Sequence, residues 1–118
     1  MSEANDQLVG QMRKNIEVAY KQIQVNLEVA SNLMKQNIEM ASNLMKQNIE
    51  TIAASMKYLS SMSGSLKDQT DTQIERTRNE MLTMVDKNNS EMLSMVDKNK
   101  SEMLAATQKV KDNLSTGS

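Results

Sequence analysis

ASNLMKQNIE occupies residues 30–39 and returns letter for letter at 41–50. The same frame extends backward with decay, as AYKQIQVNLEV at 19–29 and LVGQMRKNIEV at 8–18. A second repeat with other letters fills the C-terminal part: NEMLTMVDKNN at 79–89, SEMLSMVDKNK at 90–100 and SEMLAATQKVK at 101–111. Both arrays have a period of eleven. Eleven residues over three turns give ~3.67 residues per turn, close to an undistorted α-helix and to a straight or slightly right-handed superhelix. No proline interrupts either array, so nothing in the chain forces a helix to break. The expected fold class is all-α: long amphipathic helices with eleven-residue (hendecad) repeats, folded as an antiparallel helical hairpin that assembles into a coiled-coil bundle or filament.

Stacking the repeats predicts the buried faces. In the first half the apolar columns are Leu8, Ala19, Ala30, Ala41 and Ile52; Met12, Ile23, Met34, Met45 and Met56; and Ile16, Leu27, Ile38 and Ile49. Their 4-4-3 spacing is the eleven-residue counterpart of a heptad seam. Val18, Val29, Met40, Leu33 and Leu44 widen the apolar arc beyond what a two-stranded coil uses, so each helix is expected to touch at least two neighbours. In the second half the columns are Met81, Met92, Met103 and Leu114; Leu82, Leu93 and Leu104; Met84, Met95 and Ala106; Val85 and Val96. The predicted self-association core is Ala19, Ile23, Leu27, Ala30, Met34, Ile38, Ala41, Met45, Ile49, Met81, Val85, Met92, Val96 and Met103. Arg13, Lys35 and Lys46 each precede a glutamate (Glu17, Glu39, Glu50) by four. They are expected to solvate the opposite face, with ~0.2–0.5 kcal/mol per pair at most.

Between the arrays lies Ser60-Ser61-Met62-Ser63-Gly64-Ser65. Gly64 suits the left-handed position that ends a helix, and Ser65 with Asp68 forms a Ser-x-x-acid cap for the next one. The predicted organisation is a single coiled-coil unit over 1–118, with helix 1 at about 5–61, a turn at about 62–65 and helix 2 at about 66–114. An unbroken helix through 60–65 is the alternative. Pairing residues whose numbers sum to 125 sets Ala41 opposite Met84, Ala30 opposite Met95, Asn37 opposite Asn88 and Asn26 opposite Asn99.

Asn26, Asn37, Asn88 and Asn99 recur within the apolar arcs, as do Asn15 and Asn48. Three placements are open for them: half-wet edges of the arc, hydrogen-bonded pairs that set register, or the lining of a wet channel. A register device is useful here because slipping by one repeat otherwise preserves every apolar contact. The twelve methionines either fill irregular gaps between helices or form a soft surface that adapts to lipid, a polymer granule or varied helices.

The remaining composition excludes more than it adds. With no Cys and no His, there is no disulfide frame, no thiolate or imidazole metal site and no Cys-His or Ser-His nucleophile. No catalytic, cofactor-binding or metal-binding residue is expected, and no enzymatic activity. Net charge is −1 and neither half carries the basic excess that phosphate-backbone binding needs, so no nucleic-acid partner is expected. No stretch approaches the ~18 apolar residues of a transmembrane helix. MSEANDQLVGQ lacks the basic start and apolar run of a signal peptide, which makes the cytoplasm the expected location.

The expected function is that of a non-enzymatic structural protein that self-assembles as a scaffold, spacer, or filament or tube subunit. Its expected partner is another copy, either in a dimer of hairpins or in an open polymer. The alternative is an amphipathic coat of an apolar surface, such as a lipid droplet, a membrane or a polymer granule. The eleven-residue amphipathic repeats resemble those of apolipoproteins and synucleins. In length and in Met/Leu/Ala-rich, Cys-free composition the chain is similar to phasins, which coat bacterial polyester granules. That resemblance implies binding to an apolar surface. Against it stand the charge-balanced polar faces, the absence of Trp and Phe and the asparagines in the arc.

Overall fold

The computed structural model describes residues 2–62 and 64–116, apart from the side chains of Ser65 and Thr116. Two long helices make up the fold: α1 at Glu3–Ser60 and α2 at Lys67–Thr116, joined through a single 3-10 turn at Gly64–Leu66. No strand occurs among the described residues. The protein is an all-α antiparallel helical hairpin.

Local chemistry sets the helix ends. Ser2 begins α1, its Oγ accepting from the Asn5 amide at 3.3 Å, while Glu3 and Asp6 lie in the first turn, where carboxylates offset the positive end of the helix dipole. At the other end the Ser61 amide donates to the Lys57 carbonyl (2.9 Å) and the Met62 amide to Leu59 (3.1 Å). The Ser61 hydroxyl caps the Tyr58 carbonyl at 2.6 Å. Gly64 then takes φ +76°, a conformation that strains a residue bearing a Cβ. The predicted turn runs partly through Ser63, which lies outside the described residues, as does the Ser65 side chain on which the expected cap depends.

By contacts the chain divides into two compact units: a turn unit, Lys35–Ser94, and a terminal unit pairing Met1–Met34 with Met95–Ser118. In the turn unit the core is Ile49, Ala53, Ile74 and Val85, with Ser42 and Ser60 also buried. Val96 and Ser31 are the buried residues of the terminal unit, flanked by the half-buried Ile16, Tyr20, Leu27 and Leu104.

The non-exposed positions along α1 from Leu27 onward are Leu27, Ser31, Lys35, Ile38, Ser42, Lys46, Ile49, Ala53, Lys57 and Ser60, at intervals of four, four and three. Along α2 they include Ile74, Arg78, Leu82, Val85, Asn89, Leu93, Val96 and Lys100, with the same intervals. Each helix therefore turns to its partner one apolar column (Leu27/Ile38/Ile49 or Ile74/Val85/Val96), one long polar column, and a third. On α1 that third column is small: Ser31, Ser42, Ala53. Small side chains let two helix backbones approach, so branched residues from the other helix can close over them.

Candidate functional site

Beside the seam, the two flanks of the hairpin differ in chemistry. One flank is ionic. In the turn unit Lys46 pairs with Asp86 (2.5 Å) and Lys57 with Glu75. Arg78 clamps Glu50 with two bonds, Nε to Oε2 at 2.8 Å and Nη2 to Oε1 at 2.6 Å, and its Nη1 reaches Glu75 at 3.4 Å. In the terminal unit Lys100 pairs with Glu28 and Lys111 with Glu17 (2.8 Å). The Lys111 ammonium also lies 4.5 Å from the Tyr20 ring centroid, within cation–π range. Asn89 joins this flank, accepting from Ser42 Oγ at 2.8 Å and donating to Glu39 at 3.3 Å.

These contacts hold the carboxylates in their charged form. Arg78 keeps Glu50 below the ordinary glutamate range, Lys57 does so for Glu75, and Lys111 for Glu17. Lys67, aided by Ser60, lowers Asp71. In each case the hydrogen bond from the cation outweighs partial desolvation, which pushes the other way. The partners Lys67, Arg78 and Lys111 are raised correspondingly by the same bonds.

The other flank is an apolar groove. In the turn unit it is lined by Ile49, Ile52, Ala53 and Met56 of α1 and by Thr70, Gln73, Ile74, Thr77, Arg78 and Met81 of α2. In the terminal unit the lining is Ile16, Ala19, Tyr20 and Ile23 with Thr107, Val110, Lys111 and Leu114. Each terminal-unit lining residue corresponds to one of the turn unit three repeats away: 16 to 49, 19 to 52, 20 to 53, 23 to 56, and likewise 107 to 74, 110 to 77, 111 to 78 and 114 to 81. The same groove is thus built twice by the same columns. In the turn unit it encloses about 190 Å³, short of the ~300–1,000 Å³ of pockets that bury a small ligand.

The predicted association residues divide between seam and surface. Leu27, Ile38, Ile49, Val85 and Val96 are buried or half-buried within the hairpin. Ala19, Ile23, Ala30, Met34, Ala41, Met45, Met81, Met92 and Met103 are exposed. Asn26, Asn37, Asn88 and Asn99 are exposed too. Asn26 accepts from Gln22 of its own helix at 3.1 Å.

Two expectations are corrected. First, the pairing at a sum of 125 does not occur. Glu28–Lys100, Glu17–Lys111 and Glu50–Arg78 sum to 128, Ser42–Asn89 to 131, and Lys46–Asp86 and Lys57–Glu75 to 132. The 3-10 turn at Gly64–Leu66 carries the fold beyond residue 62, and the column facing the partner is Ser31/Ser42/Ala53 rather than Ala30/Ala41. Asn89, not Asn88, consequently reaches the seam. Second, Lys46, Glu50 and Glu17 do not decorate a free polar face but bridge to α2. Their signal was present in sequence: Arg78, Lys100 and Lys111 fall in one eleven-residue column of α2, with Asn89 at its remaining position, matching the acids across the seam.

Among the described residues there is no group of three or more metal-ligating side chains, and no helix is long and apolar enough to cross a membrane. No protein-family model matches the chain, and comparison with curated proteins and with solved structures returns no match.

Proposed function

We propose that this hairpin is a subunit of a non-enzymatic structural assembly, a hendecad coiled-coil scaffold, spacer or filament whose partner is another copy of the same chain, with the cytoplasm as the expected compartment. The observation that carries it is the groove. Exposed large apolar side chains, among them Ile23, Met34, Met45, Ile52 and Met56 on α1 and Met81, Met92 and Met103 on α2, outnumber the buried ones among the described residues, and they follow the repeat. Apolar columns of this extent mark an interaction surface. Because the groove recurs three repeats on, equal docking positions are available to a partner that carries the same period, which favours open polymers alongside closed dimers. The register role expected of Asn26, Asn37, Asn88 and Asn99 belongs to that interface, since within one hairpin they face outward.

A non-enzymatic role is supported by the carboxylates themselves. General acid–base work needs a carboxyl raised toward neutrality. Glu17, Glu50, Asp71 and Glu75 are instead pushed down by cations that hold them.

The test places a charge in the groove. Ile52→Glu sits on an exposed position, so the hairpin's own melting should move little. An uncompensated carboxylate buried against another copy costs ~3–5 kcal/mol, at least a ~hundredfold loss of association. Ser94→Glu, on the outer surface of α2, is the control. Sedimentation velocity should show Ile52→Glu dissociating at loadings where wild type and Ser94→Glu remain assembled. Equal association of all three would reject the groove as the interface.

A further inference from the structure

From residue 22 to 49 the charged residues of α1 are Glu28, Lys35, Glu39 and Lys46. In the terminal unit Glu28 pairs with Lys100 of α2. In the turn unit Glu39 accepts from Asn89 and Lys46 pairs with Asp86. Lys35, half-buried, holds the position one repeat before Lys46. These charges fall on two adjacent columns on the ionic flank of the seam. All the rest of the α1 circumference over this stretch is uncharged. Its outer columns are exposed Val29, Leu33, Met40 and Leu44, interleaved with Asn32, Gln36, Asn43 and Gln47.

The same length of α2 has the opposite character. Between 79 and 105 it carries Glu80, Asp86, Lys87, Glu91, Asp97, Lys98, Lys100 and Glu102, and Glu80, Lys87, Glu91, Lys98 and Glu102 are exposed. Its positions opposite the seam are Glu80, Lys87, Glu91 and Lys98, flanked on one side by Thr83 and Ser94 and on the other by exposed Met84 and Met95. Such a surface is at ease in water, whereas the outer surface of α1 is not.

We infer that, beside the groove contact, copies of the chain associate through the uncharged outer face of α1, α1 against α1, leaving the charged outer face of α2 in water. This rests on the self-assembly proposed above and adds its polarity: which outer face is covered. A second copy is the occupant that this face fits. Its amides donate and accept, and hydrocarbon offers them no partners, whereas the amides of an identical face do. It also has no lysine or arginine with which to hold anionic lipid. Charge segregation has the further consequence that α2 cannot replace α1 at the contact without burying Lys87, Glu91, Lys98 or Glu102.

The chain has no cysteine, so single thiols report single positions. Leu33→Cys, Met40→Cys and Leu44→Cys sample the outer face of α1, while Thr83→Cys and Ser94→Cys sample that of α2. All five positions are exposed in the hairpin, and circular dichroism verifies that each variant folds. Maleimide labelling is followed in dilute solution and at a loading where sedimentation shows assembly. A covered thiol reacts only through the free subunit, so where nine-tenths of the chain is assembled the α1 thiols should label ~tenfold more slowly, in line with the free population. The α2 thiols should label at an unchanged rate. Slowed labelling on α2, or no slowing on α1 although the chain sediments as an assembly, overturns the inference and leaves self-assembly standing. A chain that stays monomeric at every loading overturns both, as does α1 protection that arises only on adding phosphatidylcholine vesicles.

Discussion

Adjacent residues on α1 provide a direct test of the seam's phase. Ser42 is 2% exposed and donates its hydroxyl to Asn89 at 2.8 Å, whereas its neighbour Ala41 is exposed. Leucine at position 42 must enter the small column formed with Ala53 in the turn unit. Overpacking of this kind costs ~1–3 kcal/mol, and loss of the hydroxyl adds ~0.5–1.5 kcal/mol. The combined penalty is ~1.5–4.5 kcal/mol. With an unfolding entropy of ~2.1 cal/mol/K per residue, a chain of this length loses ~4 °C in Tm per kcal/mol, so Ser42→Leu should melt ~6–18 °C lower. Ser42→Ala removes only the hydrogen bond and regains part of the loss in helix propensity, for a net cost of ~0–1 kcal/mol. Ala41→Leu should stay within ~0.5 kcal/mol of wild type. The assay is the circular dichroism melt at 222 nm, run dilute enough that sedimentation shows monomer. A Tm for Ser42→Leu at or above wild type, with Ala41→Leu depressed, would refute the seam as described.

Other outcomes follow from single positions. Nothing lies within 4 Å of a Cβ built on Gly10, within α1, so Gly10→Ala should stabilise the hairpin by ~0.5–1 kcal/mol. Gly64→Ala, at φ +76°, should destabilise it by ~1–2 kcal/mol, and urea titration measures both. Glu17, Glu50, Asp71 and Glu75 are lowered on folding, so their contribution is complete above the ordinary carboxylate range near pH ~4 and is lost as pH falls through the lowered values. Lys67, Arg78 and Lys111 are raised, so theirs is complete below the ordinary lysine value of ~10.4 and fades as pH rises through the raised ones. Tm plotted against pH should therefore show a plateau that falls away on both sides, and a maximum in strong acid would contradict the ion pairs. Asn37→Leu should tighten association but broaden the set of assembled species, because an amide that restricts register costs stability; analytical ultracentrifugation reads both effects.

The hairpin was legible because its determinants are local or periodic. Repeats, absence of proline and Gly64 specify two helices and where they end, and Ile74 is the one apolar residue in an otherwise polar stretch after the turn. Phase was harder to read. The α1 arc is wider than the seam, and apolarity alone cannot say which part of it meets α2 and which remains outside. The columns of Ala30 and Ala41 read as core, yet Ser31 and Ser42 occupy it; for Ser42, a hydroxyl that finds an acceptor in Asn89 makes serine as small as alanine and no worse buried. Register depended on charges read as surface decoration. Glu17, Glu28 and Glu50 each acquire a cation from α2, and only the fold brings those columns together. The exposed methionines and asparagines are a different case, for α1 and α2 leave them uncovered and only the proposed assembly would cover them.

Sedimentation velocity of the unmodified chain in lipid-free buffer, over a wide range of concentration, tests the central claim most directly. A discrete elongated oligomer, or a polymer that grows with concentration, is the predicted result. A single monomeric boundary at every loading would contradict self-assembly and assign the apolar groove to some other surface.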